Sequence, residues 1–517
     1  MTTPIDAAEL RRLIDEPDRE LAILDLRPPL VRTQGHPALS GGIPLHDLEQ
    51  RVTTLVPRRG TTVVLASEPD LDARGAEVLA RLGYTDVRVL RDGLAGWSAA
   101  GERLYTGTNV RSKTLGEWIE AELGTRTVDS ETVARWREAG EDVVVLDSRP
   151  HEEYVHHHIP GGLDTGGGAE LAFRGLAAVT GPATRIVVNC AGRTRGIVGA
   201  QSLVNTGIVN PVYSLHNGTP AWGWAGLRVE DGPGTPLPAP VEVPDDLRKW
   251  AQQTLDSAGA TVLDAVAYDA LVADARRTTY VIDVRRPEEH AAGSVPGARS
   301  VQGGQLVQGT DEHLPVLGAR VVLVDTEDLL RSASTVQWLR YLHDGPVHVI
   351  THDAPVTRRP ETTPAARPEV PTVSAAELGA ALASGRELTV VDLRPSREYA
   401  AGHLPGAVHA RREHLAGLVG RGRLVLVGSA SYAPHFAAAD LLAAEADVAV
   451  LTDDLADVGV PLTTADPQHA GEVVDEVGPP EFGPERDRWY REYFEWEYSL
   501  VPASTGDPDF AFEEKRP

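Results

Sequence analysis

The chain has 517 residues, 42% hydrophobic and 24% charged, a globular composition too long for one core, so roughly three to five domains are expected. Its 49 basic and 75 acidic residues leave a net charge of −26, which argues against nucleic acid or an anionic membrane as partner, since both need a basic face. A single cysteine excludes an intramolecular disulfide, the start Met1 to Asp6 lacks the regions of a signal peptide, and no apolar run approaches the ~20 residues of a membrane span. A cytoplasmic protein is expected.

In chain order, one series of elements recurs four times. Copy one (1–105) begins with a helix pattern at Asp6–Leu13, then a strand-like run ending Asp25-Leu26-Arg27, a slot His36-Pro37, a β-branched run Thr62–Leu65 and an ending Asp92-Gly93 to Trp97. After a linking helix at Val110 to Leu123, copy two (125–230) repeats this with Ser130–Arg137, Asp147-Ser148-Arg149, His158 to Gly161, Ile186–Val188 and Asn217-Gly218 to Trp222. Copy three (255–351) has Ala265–Ala273, Asp283-Val284-Arg285, Ser294 to Gly297 and Val321–Val324, but no Gly-Trp ending. Copy four (370–465) has Ser374–Ala383, Asp392-Leu393-Arg394, His403 to Gly406 and Leu424–Val427.

Strands alternating with helices at this spacing predict an α/β fold, each copy a mainly parallel sheet with helices on both faces. Repeats this long are whole domains. The Pro-rich stretches Asp231–Pro240 and Pro355–Pro371 read as linkers. In the tail (466–517), Arg486–Leu500 places aromatics at helical spacing, so it is expected to pack against a domain or a second subunit.

Cys190 stands where the apolar run Ile186–Val188 enters a short loop, with a helix expected to begin near Gly196. Loop amides, the positive helix end and the guanidinium groups of Arg193 and Arg195 would all favour thiolate over thiol, so a nucleophile is expected here rather than an inert core thiol. The run His156-His157-His158 reads as a surface loop, because sequential histidines rarely converge on a metal. The Gly167-Gly168 region lacks dinucleotide or phosphate-loop spacing.

These motifs together resemble the rhodanese domain, and the chain resembles a tandem four-domain rhodanese-related sulfurtransferase. The resemblance rests on Asp147 to Arg149, Glu153-Tyr154, His158 to Gly161, Cys190 and Gly218 to Trp222, with Glu398-Tyr399 and Gly402 to Gly406 matching in copy four. It implies that Cys190 carries a persulfide sulfur and that Ala191, Gly192, Arg193, Thr194, Arg195 and Gly196 cradle substrate. Asp147 and Arg149 would be structural. Copies one, three and four have Ser67, Asp325 and Ser429 near the cysteine position and are expected to be silent. No cofactor or metal is implied. The partners implied are a small anionic sulfur donor such as thiosulfate or a low-molecular-weight persulfide, and a thiol, sulfite or cyanide acceptor, with a homodimer or a sulfur-metabolism partner compatible. A non-catalytic scaffold or protein persulfide relay is the alternative. A Cys-dependent phosphatase is disfavoured, because its arginine would have to stand at Gly196. Mercaptopyruvate as donor is disfavoured by Ala191 directly after the cysteine.

Overall fold

Every copy of the repeat forms a mainly parallel sheet, as β-branched runs linked by helical crossovers require. The computed structural model describes residues 3–429 and 433–515. They fall into two compact units, Met1–Asp15, Leu21–Gly107 and Thr362–Gly478 in one, Glu16–Glu20, Thr108–Glu361 and Pro479–Pro517 in the other. The first unit holds copies one and four. The second holds copies two and three with the end of the tail.

Copy two shows the common plan. Its sheet runs Thr235–Pro236, Leu163–Asp164, Val143–Asp147, Arg185–Asn189, Val212–Leu215, Thr127–Val128. Side chains alternate across it: Val145, Val187 and Leu215 pack with Val133, Ile159 and Trp222 on one face, while Leu146, Ile186 and Val188 pack with Leu171, Ala200 and Leu203 on the other. Copy three keeps the same order, and its segment Val347–Thr351 is a full strand on Arg320–Asp325. Among the described residues, copy three lacks the helix after that strand and the sixth, edge strand of copy two's sheet.

The Asp-X-Arg motif explains itself in all four copies. Arg149 Nε and Nη2 donate to the two oxygens of Asp147 at 2.8 and 2.7 Å, and Nη2 also reaches His157 O at 2.7 Å. Arg27, Arg285 and Arg394 repeat the clamp on Gly35, Gly293 and Gly402 carbonyls at 2.6, 2.7 and 2.7 Å. Each pair is a buried or half-buried ion pair satisfied on both sides, which locks the strand end to the slot eight residues on.

Two elements gain detail and two expectations are revised. The cap of the second copy's first helix is Asp129, which accepts from Thr132 N at 2.6 Å, so Ser130 is the first helical residue. The helix Val110–Leu123 forms as expected, with Ser112, Lys113, Thr114, Gly116 and Glu117 buried along with Trp118 and Ile119. Within the stretch taken as the first Pro-rich linker, Thr235–Pro236 joins the sheet edge. Residues 466–478 belong with copy four rather than the tail: Gln468–His469 pairs with Val408–His409, and Gln468 N donates to Tyr399 Oη at 2.9 Å. In the last two cases a short polar segment satisfies its backbone on a neighbouring edge that the linear sequence does not reveal. Among the described residues no helix is long and apolar enough to cross a membrane.

Candidate active site

Strand Arg185–Asn189 delivers Cys190 to the carboxyl end of the sheet, where α/β folds place their ligands. Asn189 Nδ2 donates to Asp147 Oδ2 at 2.9 Å and to Thr219 Oγ1 at 3.0 Å, tying the cysteine's strand to the clamp. Cys190 O accepts from Thr219 N at 3.0 Å. Gly218 makes this approach possible: with φ +55°, its backbone runs so close that an added Cβ would lie 2.3 Å from Cys190 O. Gly218→Ala is therefore expected to destabilise the second unit by roughly 2 kcal/mol and to misplace the loop, readable as a lower denaturation midpoint with lost activity.

The helix Thr194–Asn205 begins two residues before the expected position, at the first residue able to turn after the loop. Cys190 Sγ accepts from Gly192 N at 3.3 Å and also from the amide of Gly196. The amide cradle is present as expected. The electrostatics are not as expected. Burial pushes the Cys190 thiol up, because at 2% exposure the charged form loses water, and Arg195 with the Gly192 and Gly196 amides only offsets part of this.

Arg193 is a second correction. Its Nε and Nη2 donate to Glu117 at 2.7 and 2.8 Å, Nη2 also meets Glu120, and Nη1 reaches Tyr498 Oη at 3.2 Å. Two glutamates of the helix Val110–Leu123 pull this guanidinium off the sulfur, so it anchors the loop instead of facing it. Arg195 does face the site, held by both oxygens of Glu153 at 2.7 Å each, with Gln305 of copy three 3.4 Å away. The Arg195 pair holds the Glu153 carboxyl low despite its burial. Beside it, a cavity of about 30 Å³ is lined by Thr194, Arg195, Ser112, Gly168, Gly303 and Gly304, drawing on copies two and three and the connecting helix.

The tail helix Pro484–Ser504 packs on a domain, the first of the two expected options. Phe494 and Tyr493 ring carbons stand 3.5 and 3.6 Å from the position of a Cβ on Gly192, Thr194 Oγ1 donates to Glu497 at 3.2 Å, and Tyr498 Oη donates to Asn217 at 2.9 Å. Ala191 and Thr194 complete the loop, Ala191 half-buried and Thr194 buried. Sequence reasoning missed Lys113, Glu117, Gln305, Tyr493 and Glu497 as neighbours of the site. The aromatic spacing of the tail signalled that it covers something, but nothing in the linear pattern said what.

The loops of copies one and three are filled from within. Ser67 N donates to Asp72 at 3.0 Å and its hydroxyl to the same carboxylate, while Asp325 accepts from Thr326 N at 2.8 Å and Ser332 N at 2.7 Å. An internal carboxylate thus bonds amides near the cysteine position in both copies. Ser429 is exposed, and the residues directly after it lie outside the described ones. The three sequential histidines diverge: His158 stacks on Tyr154 at 4.1 Å while His157 meets Phe482 edge-on. Among the described residues no group of three or more His, Cys, Asp or Glu could hold a metal ion.

The model of the rhodanese-like domain matches residues 6–100, 129–224 and 374–446. The chain belongs to the rhodanese family. This rhodanese superposes on the crystal structure of a thiosulfate sulfurtransferase from Pseudomonas aeruginosa with TM-score 0.91 and 34% identity, over 99% of each chain. It is also 41% identical over 98 residues to the HTH-type transcriptional regulator Rv0324 of Mycobacterium tuberculosis, a match covering 19% of this chain and 42% of that regulator. The chain therefore spans less than half of that relative. Copy three, outside the matched ranges, has the same strand order as the matched copies.

Proposed function

We propose that this rhodanese moves a sulfane sulfur from thiosulfate or a low-molecular-weight persulfide to a thiophilic acceptor through a persulfide on Cys190. The observation that carries the reading is the Cys190 sulfur itself, set in a loop whose Gly192 and Gly196 amides bond it and beside the Arg195–Glu153 pair. Such a cradle suits a persulfide anion. Likeness over 99% of the chain to a thiosulfate sulfurtransferase supports the same class of donor.

Because burial pushes the Cys190 thiol up, the first step is written from the thiol. Cys190 Sγ attacks the outer sulfur of thiosulfate, the bond between its two sulfurs breaks, and sulfite leaves with the electron pair and the thiol proton as bisulfite. Cys190–S–S⁻ remains, its charge on the amides and near Arg195. Cyanide, sulfite or a thiol then takes the outer sulfur and returns the electron pair to Sγ.

Intact mass after incubation with thiosulfate tests this directly. A gain of one sulfur, about 32 Da, that cyanide removes is the expected result for a cysteine that carries the sulfur as a persulfide. No gain with thiosulfate or with persulfide donors would favour a non-catalytic scaffold.

The unloaded thiol has a testable signature. Alkylation of Cys190 by iodoacetamide is expected to titrate above the range of free cysteine, since a raised acid yields thiolate only at higher pH. Arg195→Met removes the side chain that opposes burial, so it should shift that midpoint further up and slow loading by about tenfold to a hundredfold. A midpoint at or below that of free cysteine would refute the electrostatic account.

A further inference from the structure

Two buried charged groups beside the Cys190 loop lack the partners that such groups require. Lys113 is 6% exposed; its ammonium donates to Thr108 Oγ1 at 3.2 Å and lies over the rings of Tyr493 and Trp496, 4.9 and 4.8 Å from their centroids. An ammonium has three donors, and Lys113 makes no ion pair among the described residues. Glu497 is 1% exposed. Its Oε1 accepts from Tyr493 Oη at 2.7 Å and Thr194 Oγ1 at 3.2 Å, but its Oε2 accepts nothing from the described residues.

The two groups meet at Tyr493, whose ring lies under the Lys113 ammonium at 4.9 Å and whose hydroxyl donates to Glu497 at 2.7 Å, yet no ion pair within 4.0 Å joins them. Leaving buried charges in this state is among the costliest arrangements a protein interior holds. Their position connects them to the chemistry. Tyr493 lies against Lys113 on one side and approaches Gly192 on the other, and Gly192 N–H holds the Cys190 sulfur at 3.3 Å. On the connecting helix, Gly116 lies one turn after Lys113 and abuts Thr194 of the loop.

A simple anion would satisfy Lys113 and be repelled by Glu497; a simple cation would do the reverse. One kind of small molecule satisfies both, a zwitterion. We propose that Lys113 and Glu497 form the recognition subsite for an α-amino-acid thiol, whose carboxylate pairs with Lys113 and whose ammonium pairs with Glu497 while its sulfur meets Cys190. The inference rests on the sulfurtransferase reading and names the acceptor within it. Small size follows from the tail helix: Tyr493 and Phe494 cover Gly192 and leave Cys190 2% exposed, which suits a free amino acid better than a folded protein. In the transfer, the acceptor's sulfur attacks the outer sulfur of Cys190–Sγ–S⁻ and the bond from that sulfur to Sγ breaks. The electron pair stays on Sγ, which takes the acceptor's thiol proton, and the amino-acid persulfide anion departs.

The test uses full-length protein loaded with thiosulfate and checked by intact mass. Discharge is followed with cysteine, with cysteamine, which lacks the carboxylate, with 3-mercaptopropionate, which lacks the ammonium, and with cyanide. Per unit of thiolate, cysteine is expected to outpace each one-armed thiol by about tenfold, the usual worth of a charged hydrogen bond. Lys113→Gln should erase the advantage over cysteamine, and Glu497→Gln the advantage over 3-mercaptopropionate. Each rate is divided by the cyanide rate of the same preparation, which cancels any loss of folded protein. Equal rates for the three thiols on the wild type, or variants that keep the wild-type ratios, would overturn the subsite. If the wild type never loads, the transfer reading fails by itself. Calorimetry of cysteine against the two one-armed thiols on unloaded protein then decides the subsite alone: tighter binding of cysteine supports it, and equal or absent binding overturns it.

Discussion

Cys190→Ser is expected to cut sulfur transfer by at least about a thousandfold and to abolish the mass gain on incubation with thiosulfate, with the denaturation midpoint unchanged. Oxygen cannot accept a sulfane sulfur to form a persulfide, and at neutral pH a serine hydroxyl is far from ionised. The fold should tolerate the change because copy one already carries Ser67 near the corresponding strand end, with its amide and hydroxyl satisfied by Asp72. In copy two no such carboxylate accompanies the loop, so the serine variant keeps the amide cradle and loses only the chemistry. Residual transfer above a hundredth of wild type would mean that Cys190 is not the carrier.

Arg331→Met is expected to lower the stability of the second unit by about 3–5 kcal/mol, the range for removing one partner from a buried ionic cluster. Arg331 is 0% exposed and bonds three carboxylates: Glu170 of copy two at 2.7 Å, Glu289 at 2.8 Å and Asp325 at 3.2 Å. Methionine keeps most of the volume, so the loss reports on charge rather than packing. Burial already raises Asp325 to about 6, against the pull of Arg331. A raised carboxyl favours folding below its unfolded pKa and loses that contribution as pH rises through its folded value. Without Arg331 the folded value climbs further, so the deficit should be larger at pH 7.5 than at pH 5. Asp325→Asn added to Arg331→Met should restore part of the stability, since fewer like charges then remain. Hydrogen exchange of strand Arg320–Asp325 reads the effect locally. An unchanged midpoint would show that the cluster contributes nothing.

Both predictions concern the same division of labour. Cysteine stands at the strand end of one copy, and an internal carboxylate bonds nearby amides in two others, so the copies without cysteine are not merely eroded. Copy three also supplies Gln305 beside Arg195 and the Gly303–Gly304 wall of the cavity. A copy without the cysteine thus helps to wall the Cys190 site.

Residues 1–465 announced their architecture in the sequence, because parallel sheets buried on both faces leave a local imprint: β-branched runs at fixed spacing, Asp-X-Arg at the strand end, a slot eleven residues after each Asp. The loop around Cys190 was legible for the same reason, since strand, turn and helix start are contiguous in the chain. Its electrostatics were not. Whether Arg193 faces the sulfur depends on Glu117 and Glu120, more than seventy residues earlier, and whether the thiol ionises depends on a tail helix some three hundred residues later. Charge balance and desolvation are sums over neighbours in space. Spacing within a motif fixes which atoms the backbone brings together, but only the packed structure decides which of them lose their water.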